Sequence, residues 1–327
     1  MRKKKSLRSL GTFCILLILV LVMIYSGLQI WESTVFSQAE DSASTPPTKT
    51  IVRNGVEYFP RQDITTMLVL GIDQSGPAVS SNYYRNPGSA DSVILLIFDE
   101  INKECNVLYL NRDTMLNMDV IGVTGTYAGT AYGQLALAHT YGTGLEDSCE
   151  NIRNTIMQFL GGITIDYYLS MRMDAIPILN DAVGGVTVTV VDDFSAVDPS
   201  ITMGEITLHG NQVISFVRTR KNVGDQKNIT RMSRQAEYVD SFLQALQDKG
   251  QKTPEFFLEA YDQAAPYLVS DCPINTLSGM LDRYTDFTIN RVVTPEGSNK
   301  VVDGYYQFHA DEEKLDKLIL ELFYAPK

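Results

Sequence analysis

The sequence is short of the residues that most metal and nucleophile chemistry uses. Its 327 residues include four cysteines and three histidines. Cys14 falls in an apolar run near the N-terminus. Cys105, Cys149 and Cys272 follow with no metal-motif spacing, and their odd number excludes full pairing within one chain. A single disulfide among them stays open, beside the plainer reading of small buried side chains. His139, His209 and His309 share no spacing and read as ordinary core or surface residues, not catalytic ones. Positive charge is also scarce: 27 Lys and Arg against 39 Asp and Glu give a net charge of −12. Arg2, Lys3, Lys4, Lys5 and Arg8 precede residue 31 with no acid among them, so the remainder is more negative still. Such a surface repels polyanions and argues against general nucleic-acid binding; an anionic ligand needs a local reversal of the field. The segment GVTGTYAGTAYG (122–133) has no P-loop lysine, which argues against a nucleotide site, and it reads as a mobile loop over a pocket. No internal repeat and no second linker is found.

One long apolar run is present. Residues 9–31 carry no charge, and 13–25 are almost wholly aliphatic. A helix needs about 20 apolar residues to cross a bilayer, and basic flanks stay in the cytoplasm. The pattern predicts a cytoplasmic tail over 1–9, one membrane helix over 10–31 and an extracytoplasmic remainder: a single-pass cell-membrane protein. A cleaved secretory signal has an apolar core of only about 7–15 residues; this run is longer, and the best small-residue cleavage site, near Ala39, lies too far beyond it. Residues 32–60 read as a flexible linker around SQAEDSASTPPTKT. Residues 61–327 read as one domain, with a core over about 65–250 and a C-terminal α/β part over 251–327.

Within that domain, TTMLVLGI (65–72), SVILLIF (92–98) and NVLYL (106–110) are short continuous apolar runs, as expected of strands buried on both faces. Helical spacing runs over 145–160 and stops at Gly161–Gly162. A strand is expected over 166–171, a helix over 174–183, a strand over 186–191, a short helix over 210–217 leading into an extended VRTR, and a helix over 230–246. The alternation continues with helices at 255–267 and 273–284, strands at 289–294 and 305–309, and a closing helix over 311–323. Strands separated by helices throughout indicate a sheet with helices on both faces.

The local reversal of charge lies at 218–234. Arg218, Arg220, Lys221, Lys227, Arg231 and Arg234 stand there against one acid, Asp225. In an extended segment Arg218 and Arg220 share a face; on a helix Arg231 neighbours both Arg234 and Gln235. Guanidinium groups match phosphate oxygens with paired hydrogen bonds and stay charged. The plainer reading is a solvated basic face. Asp73 ends the first strand, Asp91 opens the second, and Arg112–Asp113 ends the third, the place where open α/β sheets gather ligand-binding groups. Singly, each Asp reads as a cap or turn residue. Together, two carboxylates beside bound phosphate suit Mg²⁺.

The blocks LVLGID, ADSVILLIF, LNRDT, LALAHTYG, DAVGGVTVTV and LHGNQVISFVRTRK followed by RMSRQ, in that order over about 67–239, resemble the LytR–CpsA–Psr proteins. The resemblance implies a layered α-β-α sandwich with a mixed central sheet behind one transmembrane helix. It implies transfer of a glycopolymer, of teichoic acid or capsule type, from undecaprenyl pyrophosphate to peptidoglycan. On that reading Asp73 and Asp91 would hold Mg²⁺. Arg112, Arg218, Arg220 and Arg231 would grip the pyrophosphate, with Arg85, Arg234 and Gln235 in the same pocket. Arg112, Asp113, Arg218 and Arg220 would be the catalytic set, Asp113 orienting an arginine and assisting with a proton. The lipid would lie in an apolar tunnel. A muramic hydroxyl would attack the phosphorus that carries the sugar, and no protein nucleophile is needed. The sequence departs from the family pattern at Ser89, Asn111, Gln134, Ala136 and Thr230. Ser89, Gln134 and Ala136 keep a polyprenyl-phosphate-binding regulator without turnover in view, and a lipid pyrophosphate hydrolase, with water in place of the sugar acceptor, is a third function.

Overall fold

The computed structural model describes residues 37–38, 50–53, 55–82, 86–122, 125–219, 221–224, 234, 237–238, 241–242, 244–246, 248–249, 256–284 and 287–326. The expected membrane helix over 10–31 and the site candidates Arg85, Arg220, Arg231 and Gln235 lie outside them. Among the described residues no helix is long and apolar enough to cross a membrane.

The described residues open with β1 (Ser37–Gln38), β2 (Ile51–Arg53) and β3 (Val56–Pro60), then β4 (Ile64–Ile72), β5 (Ala90–Asp99) and β6 (Glu104–Leu110). A hairpin of β7 (Met115–Ile121) and β8 (Tyr127–Gln134) leads through a 3₁₀ turn to α1 (Glu146–Phe159), β9 (Tyr167–Arg172) and α2 (Ala175–Ala182). The strands β10 (Val186–Val190) and β11 (Gly204–Leu208) form a second hairpin before α3 (Gln212–Arg218). The C-terminal part holds α4 (Phe256–Ala264), β12 (Leu268–Ser270), α5 (Ile274–Arg283), β13 (Thr288–Val293), the hairpin β14 (Gly297–Val302) and β15 (Tyr305–Ala310), α6 (Glu312–Phe323) and β16 (Tyr324–Pro326).

Six strands form the central sheet in the order β12-β9-β4-β5-β6-β13. It is mixed: β4 runs antiparallel to β5 and β5 to β6, whereas β9 is parallel to β4 and β13 to β6. Successive side chains of a strand point to opposite faces, and the apolar runs divide accordingly. Met67, Val69, Ile94, Leu96 and Phe98 pack toward the β10–β11 hairpin and α2 to α5. Leu68, Leu70, Ile72, Val93, Leu95 and Ile97 pack toward the β7–β8 hairpin, α1 and α6. The continuous hydrophobicity of β5 follows from its place: it is buried along its whole length, between two cores. Cys105, Cys149 and Cys272 are all buried free thiols, as the plainer reading expected.

Three expectations need correction. Residues 127–134, read as part of a mobile loop, form β8, paired with β7 in antiparallel register. Only Ala131 and Gly133 of that strand are buried, and these small residues give no apolar signal. The folded body begins before residue 61, because β2 and β3 pair with each other and β3 pairs with β16 from the far end of the chain. Arg218 is the last residue of α3, so the strand spacing that put it on one face with Arg220 does not hold for it. His139, by contrast, is a core residue with a definite task, described below.

Candidate functional site at one end of the sheet

The C-terminal ends of β4, β6 and β9 and the N-terminal end of β5 coincide, because β5 is antiparallel to both of its neighbours. Asp73 follows β4, Asp91 stands near the start of β5, and Arg112 and Asp113 follow β6. The register between β4 and β5 slips here: Gly71 faces Ser92 while Ile72 faces Ala90, so Asp91 is the extra residue of a bulge. A bulge re-aims a side chain at a sheet end. The Asp73 amide donates to the Ser89 carbonyl (3.0 Å) and holds the two carboxylate-bearing segments together.

Asp91, 3% exposed, accepts from Arg112 Nη1 at 2.5 Å and from the Ser89 hydroxyl at 2.8 Å. Burial pushes its carboxyl up to about 6; Arg112 and the Ser89 hydroxyl pull it down, and the like charge of Asp73 pushes it up again. Arg112 also lies 3.6 Å, through Nε, from Asp113 Oδ1. Burial raises the Asp113 carboxyl as well, against the pull of Arg112. Arg218 Nη2 donates to Asp73 Oδ1 at 3.1 Å. Carboxylates and guanidinium groups therefore alternate at one mouth, with Arg112, Arg218 and Asp73 each partly open to solvent.

The support beneath this cluster comes from residues that spacing does not reveal. The Asn111 side chain accepts from the Asp113 amide (2.9 Å), and its carbonyl accepts from Thr114, an Asx turn that fixes the Arg112–Asp113 corner. Backbone bonds from Leu135 to Thr114 and from Ala136 to Arg112 stitch the 3₁₀ turn to the same corner. Asn86 donates to the His139 carbonyl (2.7 Å) and accepts from the Gly88 amide, while the His139 ring bonds the Gly88 carbonyl (2.7 Å); these anchor the loop that delivers Ser89 and Asp91. Gly88 is required there, since a Cβ would lie 2.7 Å from Gln74 Oε1 and 2.8 Å from Ile72 Cγ2.

Cys149 Sγ stands 3.8 Å from His139 Nε2 but is no nucleophile pair. Burial lowers the imidazole to about 4 and raises the thiol, so both groups stay neutral. Among the described residues no group of three or more His, Cys, Asp or Glu side chains is arranged to hold a metal.

Of the predicted site residues, the structure brings together Asp73, Asp91, Arg112, Asp113 and Arg218. Arg234 is placed differently. It is 4% exposed, its Nε donates to the Phe216 carbonyl (3.3 Å), Nη1 to Asp192 (2.5 Å) and Nη2 to the Thr219 carbonyl, and it lies over the Phe194 ring. Its fork is committed to the protein and secures the end of α3. The two departures at Ser89 and Gln134 prove to be contacts of the site: Ser89 to Asp91, and Gln134 Nε2 to Asp113 Oδ1 at 2.8 Å.

Comparison with known proteins follows the same lines. A relative from Bacillus subtilis (strain 168), named polyisoprenyl-teichoic acid–peptidoglycan teichoic acid transferase TagU, is 23% identical over 98% of this chain and 96% of its own length. The protein of that name from Oceanobacillus iheyensis is 22% identical over 81% of this chain and 77% of its own. Among solved structures, gbs0355 from Streptococcus agalactiae superposes with a TM-score of 0.59 at 20% identity, covering 79% of this chain and 87% of its own. TagV of B. subtilis superposes with a TM-score of 0.55 at 22% identity, covering 80% and 96%. These likenesses establish the mixed α/β fold. The family profile described as "LytR_cpsA_psr family" matches residues 26–323, and the chain belongs to that family.

Proposed function

We propose that this protein transfers an anionic glycopolymer from a polyprenyl pyrophosphate carrier to peptidoglycan, at the extracytoplasmic face of the membrane in which residues 10–31 anchor it. Membership of the family and the transferase names of its relatives support the reaction class. One observation carries the reading: two guanidinium–carboxylate pairs, Arg112–Asp91 and Arg218–Asp73, open at one sheet end of a chain that is otherwise strongly acidic. A pyrophosphate can take the place of the carboxylates on those forks, because guanidinium binds phosphate oxygens with the same geometry.

The chemistry is phosphoryl transfer. A sugar hydroxyl of the acceptor forms a new bond to the phosphorus that bears the glycopolymer, and the bond to the lipid phosphate breaks. The hydroxyl proton passes to Asp113, whose raised carboxyl is better matched to a general base than an ordinary aspartate. Arg112 and Arg218 hold the phosphate oxygens and stabilise the charge on the departing lipid phosphate. The residues also fit Mg²⁺. Asp73 and Asp91 offer hard oxygen donors and would hold it, and its charge would offset the repulsion that Asp73 exerts on Asp91. Bound there, Mg²⁺ would neutralise pyrophosphate charge.

The test uses the full chain in detergent with a lipid-linked glycan, Mg²⁺ and peptidoglycan fragments. Joined glycan–peptidoglycan is the expected product. Free phosphoglycan would mean a hydrolase, and lipid binding without turnover a regulator. Arg218→Ala and Asp91→Ala should each lower turnover by at least about 100-fold; full turnover in both would remove the site assignment.

A further inference from the structure

We propose that Gln134 is a positioning residue, whose amide clamps Asp113 to the C-terminal hairpin so that the seating of that hairpin sets the orientation of the Asp113 carboxylate. The inference rests on the function proposed above. Gln134 ends β8, and its Nε2 donates both to Asp113 Oδ1 (2.8 Å) and to the carbonyl of Tyr306 in β15 (2.8 Å). Both protons of one amide group are thus used, one on each side of the clamp. The main chain repeats the connection: the Phe308 amide donates to the Asp113 carbonyl (2.8 Å), and Thr114 bridges Phe308 in parallel register.

The choice of residue type matters. Asp113 Oδ1 sits between the Gln134 amide and Arg112 Nε, so the amide selects which oxygen faces the guanidinium. A glutamine donates without adding charge beside the Arg112 guanidinium on that oxygen. The hairpin it grips is seated unevenly: β14 is exposed along its length and the cross-strand pair Val301 and Tyr306 is 62% and 63% exposed, whereas Phe308 of β15 is buried and Ala310 packs against the core. At the exposed Tyr306 end, the Gln134 bond ties β15 to the Asp113 corner.

Gln134→Ala and Gln134→Glu test the clamp, the second keeping the length while replacing donors by acceptors. In the transfer assay each should lower kcat by about tenfold or more, with KM for the lipid donor changed by less than about twofold. In an Asp113→Asn background Gln134→Ala should cost nothing further, since residues acting through one another are not additive. Deuterium uptake over 305–310 should rise in both variants while uptake over 146–159 stays at the wild-type level. An undiminished loss in the Asp113→Asn background, or unchanged uptake over 305–310, overturns the proposal. Failure of the wild-type protein to transfer glycan would instead overturn the functional reading, and the exchange measurement would still decide the clamp.

Discussion

The carboxyl of Asp91 is 3% exposed, gripped by one guanidinium and one hydroxyl, and faces the like charge of Asp73. Its proton affinity in the folded protein is raised to about 6 from 3.8, so the neutral form is the one folding favours. The sign follows: the stability that Asp91 contributes is complete below the unfolded value and is lost as pH rises through about 6. At pH 7.5 the ionised group therefore costs on the order of 3 kcal/mol, a cost that the proposed Mg²⁺-holding role would account for, since a carboxylate binds the cation more strongly than a neutral amide. Asp91→Asn should raise the melting temperature at pH 7.5, and the difference should vanish near pH 4. Added Mg²⁺ should raise the melting temperature of the wild type and not that of the variant. Thermal scans over pH, with and without Mg²⁺, check all of this; a variant that melts lower at pH 7.5 would mean that the lost Arg112 pairing outweighs the relief of burial.

At the scale of elements, α3 has to end where Arg218 can reach Asp73, and Arg234 is what ends it. The last carbonyls of a helix lack intrahelical partners, and here the Phe216 and Thr219 carbonyls receive the Arg234 fork, which also holds Asp192 beyond β10. Arg234→Ala leaves those carbonyls and a mostly buried Asp192 without their partner, at a cost of about 3 kcal/mol. Arg234→Lys should recover little of it, since a lysine cannot fork. Urea unfolding should show a lower midpoint at unchanged m-value in both. From the sequence Arg234 looked like a ligand for anions because charge clustering reports type and proximity along the chain, not burial. The same limit explains what else was legible. Strands β4, β5 and β6 announced themselves because both faces are buried, and their shared end made Asp73, Asp91 and Arg112 readable as one site. Strand β8 packs through Ala131 and Gly133, and β14 is exposed throughout, so neither carries a hydrophobic period. Ser89 contacts Asp91 nearby, but Gln134 meets partners 21 and 172 residues away, which no local pattern encodes.

For the whole molecule, two cores share one sheet and leave Asp73, Asp91 and Arg112 at its end, where a ligand arrives through the field of the entire surface. That field is negative, with a net charge of −12 for the chain and an excess of cations confined to the N-terminus and to 218–234. Two electrostatic effects then act on an anionic donor in opposite senses. Beyond about 10 Å the summed surface charge repels it; within hydrogen-bond range Arg112 and Arg218 attract it. Salt screens the long-range repulsion more than the close, partly buried pairing. The association rate of a short-chain prenyl pyrophosphate should therefore rise between about 10 mM and 150 mM ionic strength, the reverse of what an isolated arginine site gives. Its dissociation rate should rise less over the same range. Stopped-flow binding at a series of salt concentrations separates the two rates. An association rate that falls steadily with salt would mean that the arginines govern approach as well as contact, and that the acidic surface lies turned away from the mouth of the site.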